Sequence, residues 1–290
     1  MPVIVGVGEV LWDVLPGGEH FGGAPANVAV HAAALGAEAW LVSAVGQDAR
    51  GQAALERLAT ANVDTTAVAR LADHSTGVVH VSGDTAGQPS YQIAPNSAWD
   101  FIPWSSSVER AAQRADAICF GTLAQRSPVS RATIRRAVAA TPHMTWRLCD
   151  LNLRQGHYND DVIIESLTLA NAVKLNAEEL PVVARLCGAD RAPAEDCLRA
   201  LCDRFRLRLA ALTRGAEGSL LVTPPAVSDC AAPSTQIADT VGAGDAFTAA
   251  LLVGILAGRA LADVNRRANA VAAFVCSRPG ATPPIPMALR

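Results

Sequence analysis

Val3-Ile-Val-Gly-Val-Gly8, Ala24-Pro-Ala-Asn-Val-Ala-Val-His-Ala-Ala-Ala-Leu35 and Ala39-Trp-Leu-Val-Ser-Ala-Val45 follow one another near the start of the chain. The first and third are short apolar runs, and the first is closed by glycine. The second is longer, rich in alanine, and reads as a helix. Strand, helix, strand at this spacing is a βαβ unit, with parallel strands and a helix covering one sheet face. The rhythm recurs along the chain. Apolar runs at 117–121, 145–151, 171–175 and 207–213 alternate with helical patterns at 52–60, 129–140, 163–169 and 195–204. The expectation is one α/β domain over residues 1–290, with a mainly parallel central sheet covered on both faces.

One stretch breaks the rhythm. Residues 76–82 and 90–95 read as extended strands around the turn-like Gly-Asp-Thr-Ala-Gly-Gln-Pro at 83–89, with no long helix between them. They are expected to form a hairpin that leaves the main sheet. Segments near 10–23 and 76–101 together predict a small β lid. Unpaired strand edges tend to be covered, so pairing of two lids in a homodimer is also expected.

Composition narrows the function classes. The 290 residues are 50% hydrophobic, enough for a large core. The net charge of −3, with acids and bases interspersed, argues against a nucleic-acid partner. Seven cysteines, an odd number with no Cys-x-x-Cys pair, argue against a disulfide framework or a zinc site. The N-terminal run has no basic n-region and is interrupted by Glu9 and Asp13, unlike a signal peptide. No run of about 18 uninterrupted apolar residues predicts a membrane span. A cytoplasmic location follows as an expectation.

The sharpest chemical signal is Asp239-Thr-Val-Gly-Ala-Gly-Asp-Ala-Phe-Thr248. Gly242, Ala243 and Gly244 form a small-residue turn leading into an apolar helix from about 245 to 256. A helix N-terminus offers unpaired N–H groups and the positive end of its dipole. Small side chains let that backbone approach a phosphate. The turn can therefore hold the charge that builds up in phosphoryl transfer, and Asp245 can take a proton from an alcohol. Each half alone has a plainer explanation. An aspartate at a helix start is commonly a cap, and glycines before a helix commonly serve the turn. No Gly-Lys-Ser/Thr follows, so this is not a Walker A loop.

A second half-site lies near the N-terminus. The first strand runs into Gly8-Glu9-Val10-Leu11-Trp12-Asp13, followed by Phe21-Gly-Gly-Ala-Pro-Ala-Asn27. Ligands of open α/β sheets bind beyond the C-terminal strand ends. Asp13 there can accept hydrogen bonds from two adjacent hydroxyls. Gly22 and Gly23 bring backbone N–H groups close to a ligand, and Asn27 can both donate and accept. A turn aspartate and a solvated helix asparagine are the plainer alternatives.

These pieces resemble the ribokinase-like sugar kinases, the phosphofructokinase-B family. Its first signature matches Gly22, Gly23, Asn27, Leu35, Gly36, Val45, Gly46, Asp48 and Gly51, and its second matches 239–245. The resemblance covers nearly the whole chain and implies a three-layer α/β/α fold with a β lid. It implies an ATP-dependent kinase with Asp245 as general base and Gly242, Ala243 and Gly244 as anion hole. The sugar would be held by Asp13, Gly22, Gly23, Asn27, Asn152 and Arg154, the last two from Asp150-Leu-Asn-Leu-Arg154. Asn176 and Glu179, in Lys174-Leu-Asn-Ala-Glu-Glu179, resemble the family motif that places Mg2+ through water. Thr213, Gly215, Gly218 and Asn269 would face the nucleotide. Asp239 and the carbonyls of Val241, Val275, Arg278 and Gly280 would hold a monovalent cation, K+. Thr282-Pro-Pro284 stands where ribokinases often place a serine, a departure that bears on this last site.

Gly8-Glu9-x-x-x-Asp13 and Asp150-x-Asn152-x-Arg154 resemble fructokinases more than ribokinases, so fructose is the expected substrate. Ribose, 2-keto-3-deoxygluconate and nucleosides stay open. Trp12, Tyr91, Trp99, Phe101 and Trp104 are expected around the pocket mouth and lid, as sugar cover, lid packing or dimer contact. Two other function classes share features with this sequence. An NAD-dependent oxidoreductase should carry Gly-x-Gly-x-x-Gly after the first strand, and the third glycine is absent. A non-catalytic sugar-binding regulator should have lost the base or the anion-hole glycines, which are all present.

Overall fold

The structure is a computed structural model that describes residues 1–15, 17–83, 89–154, 156–189 and 191–290, with the backbone alone at 81–83 and 89–91. The main sheet contains β1 (Val3–Val7), β4 (Glu38–Gly46), β5 (Val63–Asp64), β6 (Val68–Leu71), β9 (Ala117–Phe120), β10 (Trp146–Asp150), β11 (Ala172–Asn176), β12 (Leu209–Thr213), β13 (Ser219–Val222) and β14 (Val227–Cys230). Its order is β14-β13-β12-β11-β10-β9-β1-β4-β5, and β6 also pairs with β4. Every pairing from β5 to β12 is parallel, and β13 and β14 add on antiparallel.

Apolar side chains on alternate strand positions feed two separate cores. Val5, Val7, Ile118, Val173 and Leu212 pack with α3 (Ser106–Arg114), α4 (Pro128–Ala139), α5 (Asp160–Leu169), α6 (Leu180–Leu186) and α7 (Ala194–Phe205). Ile4, Cys119, Leu148, Leu209 and Ala211 pack with α1 (Ala24–Ala34), α2 (Ala49–Thr60), α8 (Ala243–Leu256) and α9 (Leu261–Cys276). This is why the strands read as unbroken apolar runs. Local sequence sets the helix starts. Pro25 occupies the first turn of α1, where its missing N–H costs nothing. Asp48 caps α2, its carboxylate accepting from Gly51 N at 2.8 Å.

A second sheet stands apart, in the order β3-β2-β7-β8, from β2 (Leu11–Leu15), β3 (Gly18–Gly22), β7 (Gly77–Gly83) and β8 (Pro89–Ile93). Asp48 also fastens this sheet to the body: Oδ2 accepts from Thr76 N and Oδ1 from the Thr76 hydroxyl, at 2.8 and 2.7 Å. Of the turn read at 83–89, residues 84–88 lie outside the described residues. Past β8 the chain re-enters the body, and residues 98–101 form a 3-10 turn. Among the described residues no helix is long and apolar enough to cross a membrane, and the cysteines form no disulfide.

Candidate active site

Asp245 stands in the first turn of α8, just after a left-handed glycine. Gly242 has φ +76°, and a Cβ there would sit 2.3 Å from the Ala281 carbonyl oxygen. A side chain is excluded on both grounds, so the turn is pressed against the C-terminal loop. His31 on α1 secures that loop. Burial lowers its pKa to about 4, so the ring is neutral, with Nε2 2.9 Å from the same Ala281 oxygen.

Asn27 on α1 donates to Asp245 Oδ2 at 2.8 Å. Asp245 keeps part of its surface open, yet its pKa is pushed up to about 7. Burial of the carboxyl is the main cause and the nearby Asp150 carboxylate adds to it. Asn27, Lys174 and Arg154 act in the opposite sense. A carboxyl titrating near neutrality suits a base that must accept a proton from an alcohol.

Beneath this turn lies a buried polar cluster that the sequence reading left without a role. Lys174 on β11 and Asp150 at the end of β10 form an ion pair at 3.1 Å. The Thr248 hydroxyl is 2.8 Å from Asp150 Oδ2 and 3.0 Å from the Gly244 carbonyl. A Cβ at Gly244 would stand 3.0 Å from Lys174 Nζ. The available signal was a lysine inside the apolar strand Ala-Val-Lys-Leu-Asn, where charge is rare unless paired.

Of the residues expected on the sugar side, Asp13 and Gly22 approach each other closely. A Cβ on Gly22 would stand 2.6 Å from Asp13 Oδ2, so the glycine makes room for that carboxylate. Burial raises the Asp13 pKa, opposed by Arg154 and His20. The Arg154 charge acts on Asp13, Glu9 and Asp245 alike. Glu9 is buried, and burial raises its pKa. Asn152 holds φ +42°, a strained backbone for a side-chain-bearing residue and of the kind that collects at functional sites. Gly23 leads into α1 as its N-terminal flank.

On the other side, Asn176 Oδ1 accepts from the N–H groups of Glu178 and Glu179, both at 2.9 Å. The buried Glu179 carboxylate accepts from Leu153 N at 2.7 Å and Asn176 N at 2.9 Å. These bonds pin an all-oxygen donor set at the end of β11, which fits magnesium held through its waters. Thr213 ends β12, and the loop closes through Arg214 N to the Gly218 carbonyl at 2.7 Å, with positive φ at Gly215 and Gly218. Asn269 on α9 donates to the Ser219 hydroxyl at 2.7 Å, beside Gly218. Asp239 joins the loops before α8 and after α9, accepting from Val241 N and Gly280 N, both at 3.0 Å. The Val275 carbonyl accepts from Arg278 N at 3.0 Å. These oxygens and carbonyls fit a monovalent cation by donor type. Among the described residues no three His, Cys, Asp or Glu side chains gather to hold a metal.

Of the aromatic residues expected at the pocket mouth and lid, Trp12 packs edge-on against Phe21 within the lid, whereas Trp99, Phe101 and Trp104 lie off it. Trp99 is fully buried in the body, with the Arg126 guanidinium 4.1 Å from its ring centroid. Phe101 stacks on His74 and Trp104 lies against Arg136. Trp12 alternates with Asp13 along β2, and so faces the other side of the lid, donating to the Arg50 carbonyl at 3.1 Å. The Tyr91 side chain lies outside the described residues.

Comparison with known proteins identifies the family of the chain. Residues 11–288 match the pfkB family carbohydrate kinases. An uncharacterized sugar kinase from Pyrococcus horikoshii superposes with a TM-score of 0.83 at 30% identity, over 97% of this chain and 93% of that one. A Xylella fastidiosa fructokinase with bound ATP gives a TM-score of 0.86 at 25% identity, over 98% and 95%. The aminoimidazole riboside kinase of Salmonella typhimurium is 29% identical over 97% of this chain and 91% of its own length. This chain belongs to the pfkB family of carbohydrate kinases, phosphotransferases whose acceptor is a sugar hydroxyl.

Proposed function

We propose that this kinase moves the γ-phosphoryl group of ATP to the primary hydroxyl of fructose. The observation that carries the reading is Asp245, with a pKa of about 7, beside the Gly242 turn, hydrogen-bonded by Asn27 and under the influence of the Arg154 charge. Asp13, Asn27, Asn152 and Arg154 bind and orient the sugar, with Gly22 and Gly23 opening the backbone to it. Asp245 accepts the hydroxyl proton as the sugar oxygen bonds to phosphorus and the bond to the departing ADP oxygen breaks. The N–H groups of Gly242, Ala243 and Gly244 face the charge that gathers on the transferred group. Thr213, Gly215, Gly218 and Asn269 line the nucleotide side. Magnesium, when bound, neutralises phosphate charge, and Asn176 and Glu179 orient its waters. Asp239 and the carbonyls of Val241, Val275, Arg278 and Gly280 would hold potassium, whose charge would steady the anion-hole turn.

The fructokinase relative with bound ATP supports both the donor and the acceptor. The aminoimidazole riboside kinase relative favours a second reading, a ribosylated base as acceptor. ADP release measured with ATP, magnesium and a panel of ketoses, aldoses, sugar acids and nucleosides separates the two. Fructose should give the highest kcat/KM, and a nucleoside winning by tenfold or more overturns fructose. Replacing potassium by sodium should lower kcat, and no change removes the potassium site. The lid is read as a flap over the sugar in a single domain, pairing with its copy in a homodimer. A strict monomer by sedimentation at micromolar concentration removes the dimer.

A further inference from the structure

We infer that Lys174 is the positioning residue of the anion hole, its ammonium a fixed positive charge behind the Gly244 backbone. The inference rests on the kinase reading and adds to it a residue outside the base, the glycine turn and the metal motif. The Lys174 ammonium lies on the inner side of the first turn of α8, 3.0 Å from where a Cβ of Gly244 would stand. Asp150 fixes it there at 3.1 Å. The other Asp150 oxygen reaches Thr248, whose hydroxyl is also 3.0 Å from the Gly244 carbonyl. Lys174, Asp150 and Thr248 thus clamp the turn from below. Gly244 is small on this side because the ammonium occupies the space, independently of any ligand above.

A purely structural role accounts poorly for this arrangement. An ion pair buried in a core is often matched or bettered by apolar residues of similar size. Here one lysine is under the influence of three acids, Asp150, Glu179 and Asp245, and Asp245 is itself held by Asn27. A positive charge held in a water-poor site acts on a developing negative charge far more strongly than one in water.

Lys174→Met alone leaves Asp150 buried and unpaired, so lost stability could hide the effect. The deciding variant is therefore Lys174→Met/Asp150→Asn, neutral and close to the original volumes, studied in the full-length protein with wild type alongside. The double variant should regain the wild-type melting temperature to within a few degrees. Its kcat should stay about 100-fold down, the scale of a lost oxyanion donor, with KM for ATP and sugar within a few fold. Inhibition by ADP with aluminium fluoride, a mimic of the planar transferring group, should weaken at least tenfold, while ADP alone binds as before. Recovery of kcat to within a few fold of wild type would mean that Lys174 only neutralises Asp150, and overturns the proposal. So would equal weakening of ADP and of the mimic. Wild type inactive on every sugar would instead sink the kinase reading.

Discussion

The Asn27 side-chain amide donates a 2.8 Å hydrogen bond to Asp245 Oδ2, joining the first helix of the chain to α8 across 218 residues. The bond favours the ionised carboxylate and so opposes the burial that raises its pKa. Asn27→Ala removes it, and the Asp245 pKa rises further above about 7. On the proposal that Asp245 is the base and works when ionised, the acidic limb of the kcat/KM profile should move to higher pH. A profile that stays in place assigns Asn27 to sugar binding alone.

Asp245→Asn keeps the size of the side chain and removes its basicity. It should lower kcat by about 100-fold or more, the scale of a lost general base, with much smaller changes in ATP and sugar binding. Near wild-type kcat would make Asp245 a helix cap.

The same substitution carries an opposite effect on stability. The folded pKa of about 7 lies above the ordinary 3.8 of aspartate, so the fold favours the protonated form. Stability from this group is full below about pH 3.8 and is lost as pH rises towards 7. Asparagine never ionises. Asp245→Asn should therefore raise Tm at pH 8, and by clearly less at pH 5. Equal shifts at both values would show that burial is not what raises the pKa.

Gly242→Ala meets two obstacles, the positive φ and the Ala281 carbonyl 2.3 Å from the new Cβ. The turn or the C-terminal loop must move. Strain of this kind costs on the order of 1–3 kcal/mol, so Tm should fall and kcat should fall with it. Unchanged kcat would separate this turn from catalysis.

Glu179→Gln loses charge and one of two acceptor oxygens, both of which now hold backbone N–H groups. The magnesium concentration for half-maximal rate should rise several-fold. An unchanged magnesium titration would leave Glu179 as a brace for the loop after β10.

Much of this architecture was legible in the chain. The runs at 3–8 and 39–45 became β1 and β4 because strands buried on both faces carry no polar alternation to confuse them. The antiparallel β13 and β14 went unread: each is four residues long, too short for a period to register. Motif positions in turns, such as Asp245 and Gly242, could be read because turn chemistry is local. The aromatics could not. Trp99 is a core residue through contacts distant in sequence, and composition says nothing of which face a ring takes. Lys174 escaped for a similar reason, since its partner Asp150 sits on the neighbouring strand.

The pairing of His31 with the Ala281 carbonyl, 250 residues apart, sets an order of assembly. Synthesis runs from the N-terminus, and domains gather as chain emerges. A chain still missing its last segment already holds Asp13, Gly22 and Asn27 but has no loop to seat the Gly242 turn. The Gly242 turn therefore takes its final seat only once Ala281 has been made and has left the ribosome, late in the synthesis of the residues described.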